Sequence, residues 1–471
     1  MSNPLLKQPN VVNVGVDLFT ARLLKAGVRT AVRDWAPRLN GNADAYRRLF
    51  GMGGNEGRVA ALEKANGRVV EAMRSCDPIL VDVVPAKSVL PELKDRLALH
   101  AGPPVPFEKM TGPAQGALIG VALYEKWVKT PEEAIQMLET GQIQLDSCHH
   151  HQAVGPMAGI TSGSMPVLVV KNTVSGENAY TILNEGIGPV LRFGAYNEEV
   201  MKRLTWFEEE FGSTLSAAIQ HADGIPLKPI MAKALLMGDE MHQRNAAASL
   251  LFLQVLLPHL VATVSGDRLA RAVTFLGNTD QFFLNLAMAA GKTMGDAGQA
   301  VGGGSIVTAM CRNGVDFGVR VSGLGDTWWS GPVNQPQGMY FAGYNVEDGN
   351  PDIGDSAIME TIGLGGMALP AAPAVIGFVG SGTFDDAQRI FRRQRGIVTA
   401  TQPTFQIPAL DGQAALLGID VRFVVSSGVL PLINTGIAHK VAGIGQIGAG
   451  TVSPPLVAFE RAAEALAETV R

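Results

Sequence analysis

The chain has 471 residues, 46% of them hydrophobic and 17% charged; that balance excludes a disordered chain, and the length predicts two or three domains. With 38 basic against 43 acidic residues the net charge is −5, so no basic surface advertises nucleic acid or an anionic membrane. Three cysteines (Cys76, Cys148, Cys311) cannot staple a chain of this length, which fits a reducing compartment. The opening Met1-Ser-Asn-Pro-Leu-Leu-Lys lacks the pattern of a secretory leader, so a cytoplasmic location is expected.

Residues 11–100 alternate strand and helix patterns. Val11-Val-Asn-Val-Gly-Val, Val28–Val32 and Pro78–Val84 read as strands; Leu18–Ala26, Arg58–Arg74 and Ser88–Leu99 read as helices. Such alternation predicts a parallel, Rossmann-like α/β domain over 1–105, closed by the proline-stiffened Ala101-Gly-Pro-Pro-Val-Pro. Residues 106–300 read as a helix-rich domain. Its predicted helices are 116–127, 131–140, 198–211, a long pattern over 229–264, and 282–290, with one strand at Val167–Lys171. The most apolar stretch, Ala246–Ala262, is shorter than the roughly 20 residues a membrane span needs and reads as a buried helix. Residues 301–471 read as a glycine-rich α/β domain of short strands, a helix over 385–395 and a closing amphipathic helix from Pro454. The fold expected overall is α/β: a parallel amino-terminal unit and a larger mixed body.

Glycine is the abnormal count, 55 in all, with 27 of them in residues 301–450. No Gly-X-Y period appears and large apolar residues stand between the glycines, so neither collagen nor a linker fits. Tight turns and backbone lying close to a ligand fit better, and 301–450 is expected to wall an anion pocket with backbone amides.

Several motifs carry chemical groups. Gly443-Ile-Gly445-Gln-Ile-Gly448 spells the dinucleotide fingerprint, but no helix pattern follows it, so a close-packed turn or an anion-binding nest is the better reading. Cys148-His149-His150-His151 is conspicuous in a chain with eight histidines. In an extended segment His149 and His151 would share one side, and no second ligand pair stands at zinc spacing. Asp348–Asp355 imitates a calcium loop, but the glycine is misplaced and Met359 stands where glutamate is needed; a turn capping the next helix is expected instead. No metal and no cofactor is expected.

The most informative stretch is Met237-Gly-Asp-Glu-Met-His-Gln-Arg-Asn245, a polar belt inside an apolar helical pattern. On a helix Asp239 would neighbour His242, and Glu240 would pair with Arg244. Such a belt must be satisfied by partners or by a ligand. Asn184-Glu185-Gly-Ile-Gly188 with Arg192, Asn434-Thr-Gly-Ile-Ala-His439, and Lys109-Met-Thr-Gly112-Pro-Ala-Gln115 add cations, amides and backbone donors suited to a small anion.

Together with Val321-Ser-Gly-Leu-Gly-Asp326 and Asn350-Pro-Asp-Ile-Gly-Asp-Ser356, these strings resemble, in order over about residues 11–460, the family catalogued as domain of unknown function 1116. One member of that family is a subunit of the oxamate carbamoyltransferase of anaerobic allantoin breakdown. The resemblance implies carbamoyl transfer between an oxamate-like acceptor and phosphate, in a homo-oligomer or with other subunits. That chemistry needs anion-holding groups, oxyanion donors and a proton donor for the departing nitrogen. Candidates for catalysis are His149, His151, Glu185, His242 and Arg244. Candidates for binding are Lys109, Gly112, Gln115, Asn184, Arg192, Asn245, Asn313, Arg320, Asn434 and His439. An amide or ureide hydrolase, and a non-catalytic ligand-binding subunit, are the alternatives.

Overall fold

A computed structural model describes residues 10–14, 17–33, 38–52 and 54–469. The segment read for a leader, residues 15–16 of the first strand pattern and the last two residues of the closing helix lie outside them. The fold is mixed α/β. At the amino terminus Asn10–Val14 and Arg29–Arg33 pair in parallel, joined through the helix Asp17–Lys25, as the alternation predicts.

The third predicted strand does not extend that pair. Pro78–Pro85 runs antiparallel to Pro166–Asn172, in a five-stranded sheet that also holds Asn178–Ile182, Ala153–Val154 and Ile225–Pro226. Buried residues line both Pro78–Pro85 and its partner, and a continuous apolar run does not encode which neighbour a strand takes. The helix predicted over 88–99 is also replaced. Pro91 breaks it, leaving a single turn at Ala86–Val89, a 3₁₀ turn at Pro91–Lys94 and a strand at Leu97–His100.

The axis of the molecule is the helix Phe282–Val301, longer than its apolar core suggests. It packs on the helix Glu56–Ser75, on four strands of the five-stranded sheet and on Val307–Asn313. That last strand belongs to an antiparallel sheet ordered Trp329–Pro332, Asp316–Val321, Val307–Asn313, Ile353–Gly354. Sixteen of the axial helix's residues are buried. It contacts so many elements because small residues let their backbones approach: a methyl group on Gly295 would collide with the Thr308 carbonyl, and one on Gly298 with Met73. The principal hydrophobic core runs from Leu39 to Ala467 in sequence and includes much of this helix.

The long pattern over 229–264 is two helices, Leu227–Leu236 and Ala246–Thr263, separated by the irregular segment 237–245. Gly238 and Met241 take positive φ there (94° and 68°), which ends a helix. The polar belt is therefore a loop, and the helical pairings expected within it do not form. Pro258 is accommodated inside the second helix. That helix is not buried all round. By length and composition it could cross a membrane, but a third of it is buried here, and Leu250, Val255, Leu257 and Val261 face outward.

The glycine surplus does not line a pocket with amides. Several of its residues stand where two backbones touch: methyl groups on Gly338, Gly363 and Gly366 would strike Ala449, Leu416 and Leu432 backbone atoms. The sequence 443–448 leads into the strand Gln446–Val452, not a helix, as expected for a close-packed turn.

This packing gives a direct test. Gly295→Ala should destabilise the fold by about 1–3 kcal/mol. Gly67→Ala, at an exposed helical position with open space around it, should stabilise it by about 0.5–1 kcal/mol. Urea denaturation midpoints of the two variants, moving in opposite directions, are the readout.

Candidate active site

Three elements converge on a cleft of about 790 Å³. The axial helix brings Lys292 and Asp296, one turn apart on the same face. The strand Asp316–Val321 brings Arg320, and the turn after it brings Asp326 and Trp328. A 3₁₀ turn, Cys148–His151, brings His149. His150, Gln152, Glu177, Asn178, Tyr180 and Gln299 also line the cleft.

The cations are almost fully buried. Lys292 Nζ lies 2.6 Å from Asp296 Oδ2 and donates to the His149 carbonyl at 3.3 Å. Arg320 Nη2 also binds Asp296, and its Nη1 is 3.4 Å from Asp326. Burial pushes the Lys292 pKa down, with Asp296 opposing. For Asp296 burial acts upward, but Lys292 and Arg320 together outweigh it and hold the carboxyl below its ordinary value. Three donors at this end of the cleft are not fully used. Arg320 Nε and the Trp328 indole N–H are buried without an acceptor, and the His149 ring bonds to nothing. Unmet donors beside two cations form a receptor for a small anion.

His149 sits between this cleft and the interior. Its ring meets Trp328 edge-on at 5.1 Å, and its Nε2 lies 3.6 Å from Asp355 Oδ1, beyond hydrogen-bond range. Burial, with Lys292 and Arg320 nearby, holds the imidazole neutral by driving its pKa well below 6.5. Asp355 Oδ1 accepts the Gly102 N–H at 2.7 Å and Oδ2 the Gly155 N–H at 2.9 Å. Burial raises its pKa to about 7 even so. Asp355 therefore does not cap the helix after the calcium-like loop, whose N-cap is Ala357 with no side-chain bond; its carboxylate clamps two distant glycines instead. Cys311 adds its thiol, with the donor atoms of His149, Cys311 and Asp355 all within 4.8 Å of one another.

Behind Asp355 the polar network continues. Ser356 Oγ bonds His242 Nε2 at 2.8 Å, and His242 Nδ1 lies 2.9 Å from Glu360 Oε1. Glu360 also accepts the N–H groups of Gly366 and Asn434. Glu240, in the 237–245 loop, accepts the N–H groups of His242, Gln243 and Arg244 and the Asn434 amide. The loop's own amides are thus filled by its own carboxylate, whose pKa burial raises. Arg244 turns to Asp239 at 3.0 Å rather than to Glu240. Two groups there lack partners: Asn245 Oδ1 and Asn434 Oδ1.

The structure thus brings His149 and Arg320 together at the cleft, and His242, Arg244, Asn245 and Asn434 together behind it. The others lie apart. The 3₁₀ turn separates the histidines that an extended segment would align. His151 points to Glu92 and Asp146 at 2.6 and 3.0 Å, in a second cleft of about 580 Å³. Glu185 accepts the Leu191 and Arg192 N–H groups, and Arg192 grips the Gly186 carbonyl, so the pair closes a turn. Asn184 bonds Asn285 on the axial helix. Asn313 organises the turn at 313–316 and reaches the Pro103 carbonyl. Lys109 is exposed, Gln115 bonds the Phe107 carbonyl, and Gly112 packs on the Lys440 carbonyl. His439 accepts the Val441 N–H and stacks edge-on against Tyr344.

Lys292, Asp296 and Trp328 were not among the residues the sequence singles out. A signal existed: Lys292 and Asp296 stand at i,i+4 among small and apolar residues, Ala289-Ala-Gly-Lys-Thr-Met-Gly-Asp296. Ending the predicted helix at Ala290 hid it.

The chain resembles known proteins over most of its length. A family model described as oxamate carbamoyltransferase subunit AllG matches residues 143–356, a span that contains His149, Lys292, Asp296, Arg320 and Asp355. The chain is 51% identical to the oxamate carbamoyltransferase subunit AllG of Escherichia coli K12 over 87% of this chain and 99% of that protein. It is 40% identical to the uncharacterized protein YahG of the same organism, over 98% of each. A crystal structure of a conserved protein of unknown function from Enterococcus faecalis V583 superposes with a TM-score of 0.85 at 43% identity. It covers 87% of this chain and 99% of that one.

The buried pair of Arg312 with Asp352, bonded through Nε–Oδ2 at 2.6 Å and Nη2–Oδ1 at 2.9 Å, underlies the whole arrangement. Asp352→Ala would strand the guanidinium and should cost about 3–5 kcal/mol, measured as a loss of unfolding free energy in urea.

Proposed function

The chain belongs to the family of the oxamate carbamoyltransferase subunit AllG, and on that premise we propose that it acts as a catalytic subunit of a carbamoyltransferase for small ureides. In the reading adopted, oxalurate and phosphate give oxamate and carbamoyl phosphate. A phosphate oxygen attacks the carbamoyl carbon, the bond from that carbon to the oxamate nitrogen breaks, and the nitrogen takes up a proton. The observation that carries the reading is the unmet donor set beside Lys292. Arg320 Nε and the Trp328 N–H have no acceptor; Arg320 lines a cleft of a size for two small anions, and Trp328 lies against Arg320. Arg320 and Trp328 would hold the anions and restrain their approach. Lys292, its pKa lowered by burial, would supply the proton to the departing nitrogen, a role typically worth about 10²–10⁴ in rate.

The unpartnered Asn245 and Asn434 oxygens favour a second reading, in which substrate binds at the 237–245 loop with His242 and Arg244. Water in place of phosphate would make the protein a hydrolase, and a pocket that only binds would make it a non-catalytic subunit.

One assay separates these readings: oxamate release from oxalurate by the reconstituted complex, with and without phosphate. Arg320→Ala should reduce the phosphate-dependent rate by at least about 10²-fold, while Arg244→Ala leaves it within a few-fold; size-exclusion profiles would verify assembly of both. The reverse order would move the site to the loop, and product formed without phosphate would mean hydrolysis. Full activity in both variants would leave this chain a binding subunit.

A further inference from the structure

His149, Cys311 and Asp355 come from a 3₁₀ turn, the middle of a strand and the residue after the short strand Ile353–Gly354. All three are buried, and one donor atom of each lies within 4.8 Å of the other two. A set of this kind normally satisfies itself by hydrogen bonds. This one does not: neither nitrogen of the His149 ring has a partner, although the residue is 2% exposed. Leaving a buried polar group unpaired costs roughly 1–3 kcal/mol, and in a neutral imidazole the one nitrogen that carries a lone pair is open to a Lewis-acidic ligand.

The separations suit an ion better than a proton. Nitrogen and oxygen ligands at roughly 2.1 Å from a tetrahedral zinc ion stand about 3.4 Å apart, and His149 Nε2 lies 3.6 Å from Asp355 Oδ1. Charge balance agrees. A thiolate, a carboxylate and a neutral imidazole would carry two negative charges, which a divalent ion cancels. The surroundings also behave as outer ligands do. Backbone N–H groups of Gly102 and Gly155 fix the carboxylate, and Trp328 fixes the imidazole plane. Cysteine among the donors selects a thiophilic ion over magnesium or calcium.

We propose that His149, Cys311 and Asp355 bind a divalent transition ion of the zinc type, with a fourth coordination position reached from the cleft that His149 lines. Three protein ligands with one open position is the count of a site that binds water or substrate rather than of a purely structural centre. The proposal goes beyond the carbamoyl-transfer reading and stands without it, because it rests on the three donors alone.

Its test reads binding, not turnover. The untagged full-length chain, stripped with chelator and dialysed, is titrated anaerobically with Co²⁺ and then with Zn²⁺. The result expected is a sulfur-to-cobalt charge-transfer band in the near ultraviolet that saturates at one ion per chain and is abolished by excess Zn²⁺. Cys311→Ser should remove the band, and His149→Ala should weaken Co²⁺ binding at least tenfold. No band in the wild-type chain, or a band of full intensity in Cys311→Ser, overturns the site. Should the variants fail to fold, zinc X-ray absorption on the wild-type chain decides: one sulfur among nitrogen and oxygen neighbours supports the proposal, and no sulfur or more than one refutes it.

Discussion

The buried guanidinium of Arg312 is the constraint on which the rest of the structure depends. With no exposed side-chain surface, it must find acceptors for its donors inside the protein. It takes the Asp352 carboxylate through two nitrogens, the Gly354 carbonyl, Ser356 Oγ and Thr435 Oγ. Those contacts tie together the strand Val307–Asn313, the segment 352–356 and the strand Ile433–Ala438. Satisfying one charge therefore fixes the segment that carries Asp355 and Ser356, which in turn hold Gly102, Gly155 and His242.

From that joint the site divides. Along Val307–Asn313 side chains alternate, so Cys311 faces His149 and Asp355 while Arg312 faces Asp352. Asp355 looks toward the cleft and holds Gly102 and Gly155; Ser356 looks away from it and holds His242. Adjacent in sequence, Asp355 and Ser356 thus place the surroundings of His149 next to the network of the 237–245 loop. The axial helix adds the cations from the other side, and its glycines allow it to lie close enough to do so. Gly102 has φ near +84°, and any side chain there would strike the Arg312 backbone, so the amide that clamps Asp355 can be presented only by glycine.

How much of this was legible beforehand can be judged residue by residue. His149 and Arg320 were recognisable as chemically unusual, and both line the cleft. The 237–245 segment was recognisable as polar where its surroundings are apolar, but its helical reading failed because Gly238 and Met241 take positive φ. Glutamates and arginines that looked available for a ligand are committed elsewhere: Glu185 and Arg192 to one turn, Glu240 to its own loop amides. Lys292 went unnoticed because helix periodicity alone does not say whether a lone lysine snorkels to solvent or is pinned inside.

The sequence by itself determined the mixed α/β class, the amino-terminal parallel pair, most helices and the family, because these follow from local periodicity and from long, peculiar strings. Only the tertiary structure decided which strands pair, which histidine faces which cleft, and which polar groups remain without partners. The physical reason is the same each time. A hydrogen bond or an ion pair in the interior joins residues such as Arg312 and Thr435, or His242 and Glu360, that lie more than a hundred positions apart. No local pattern specifies which of many possible partners a buried group will meet.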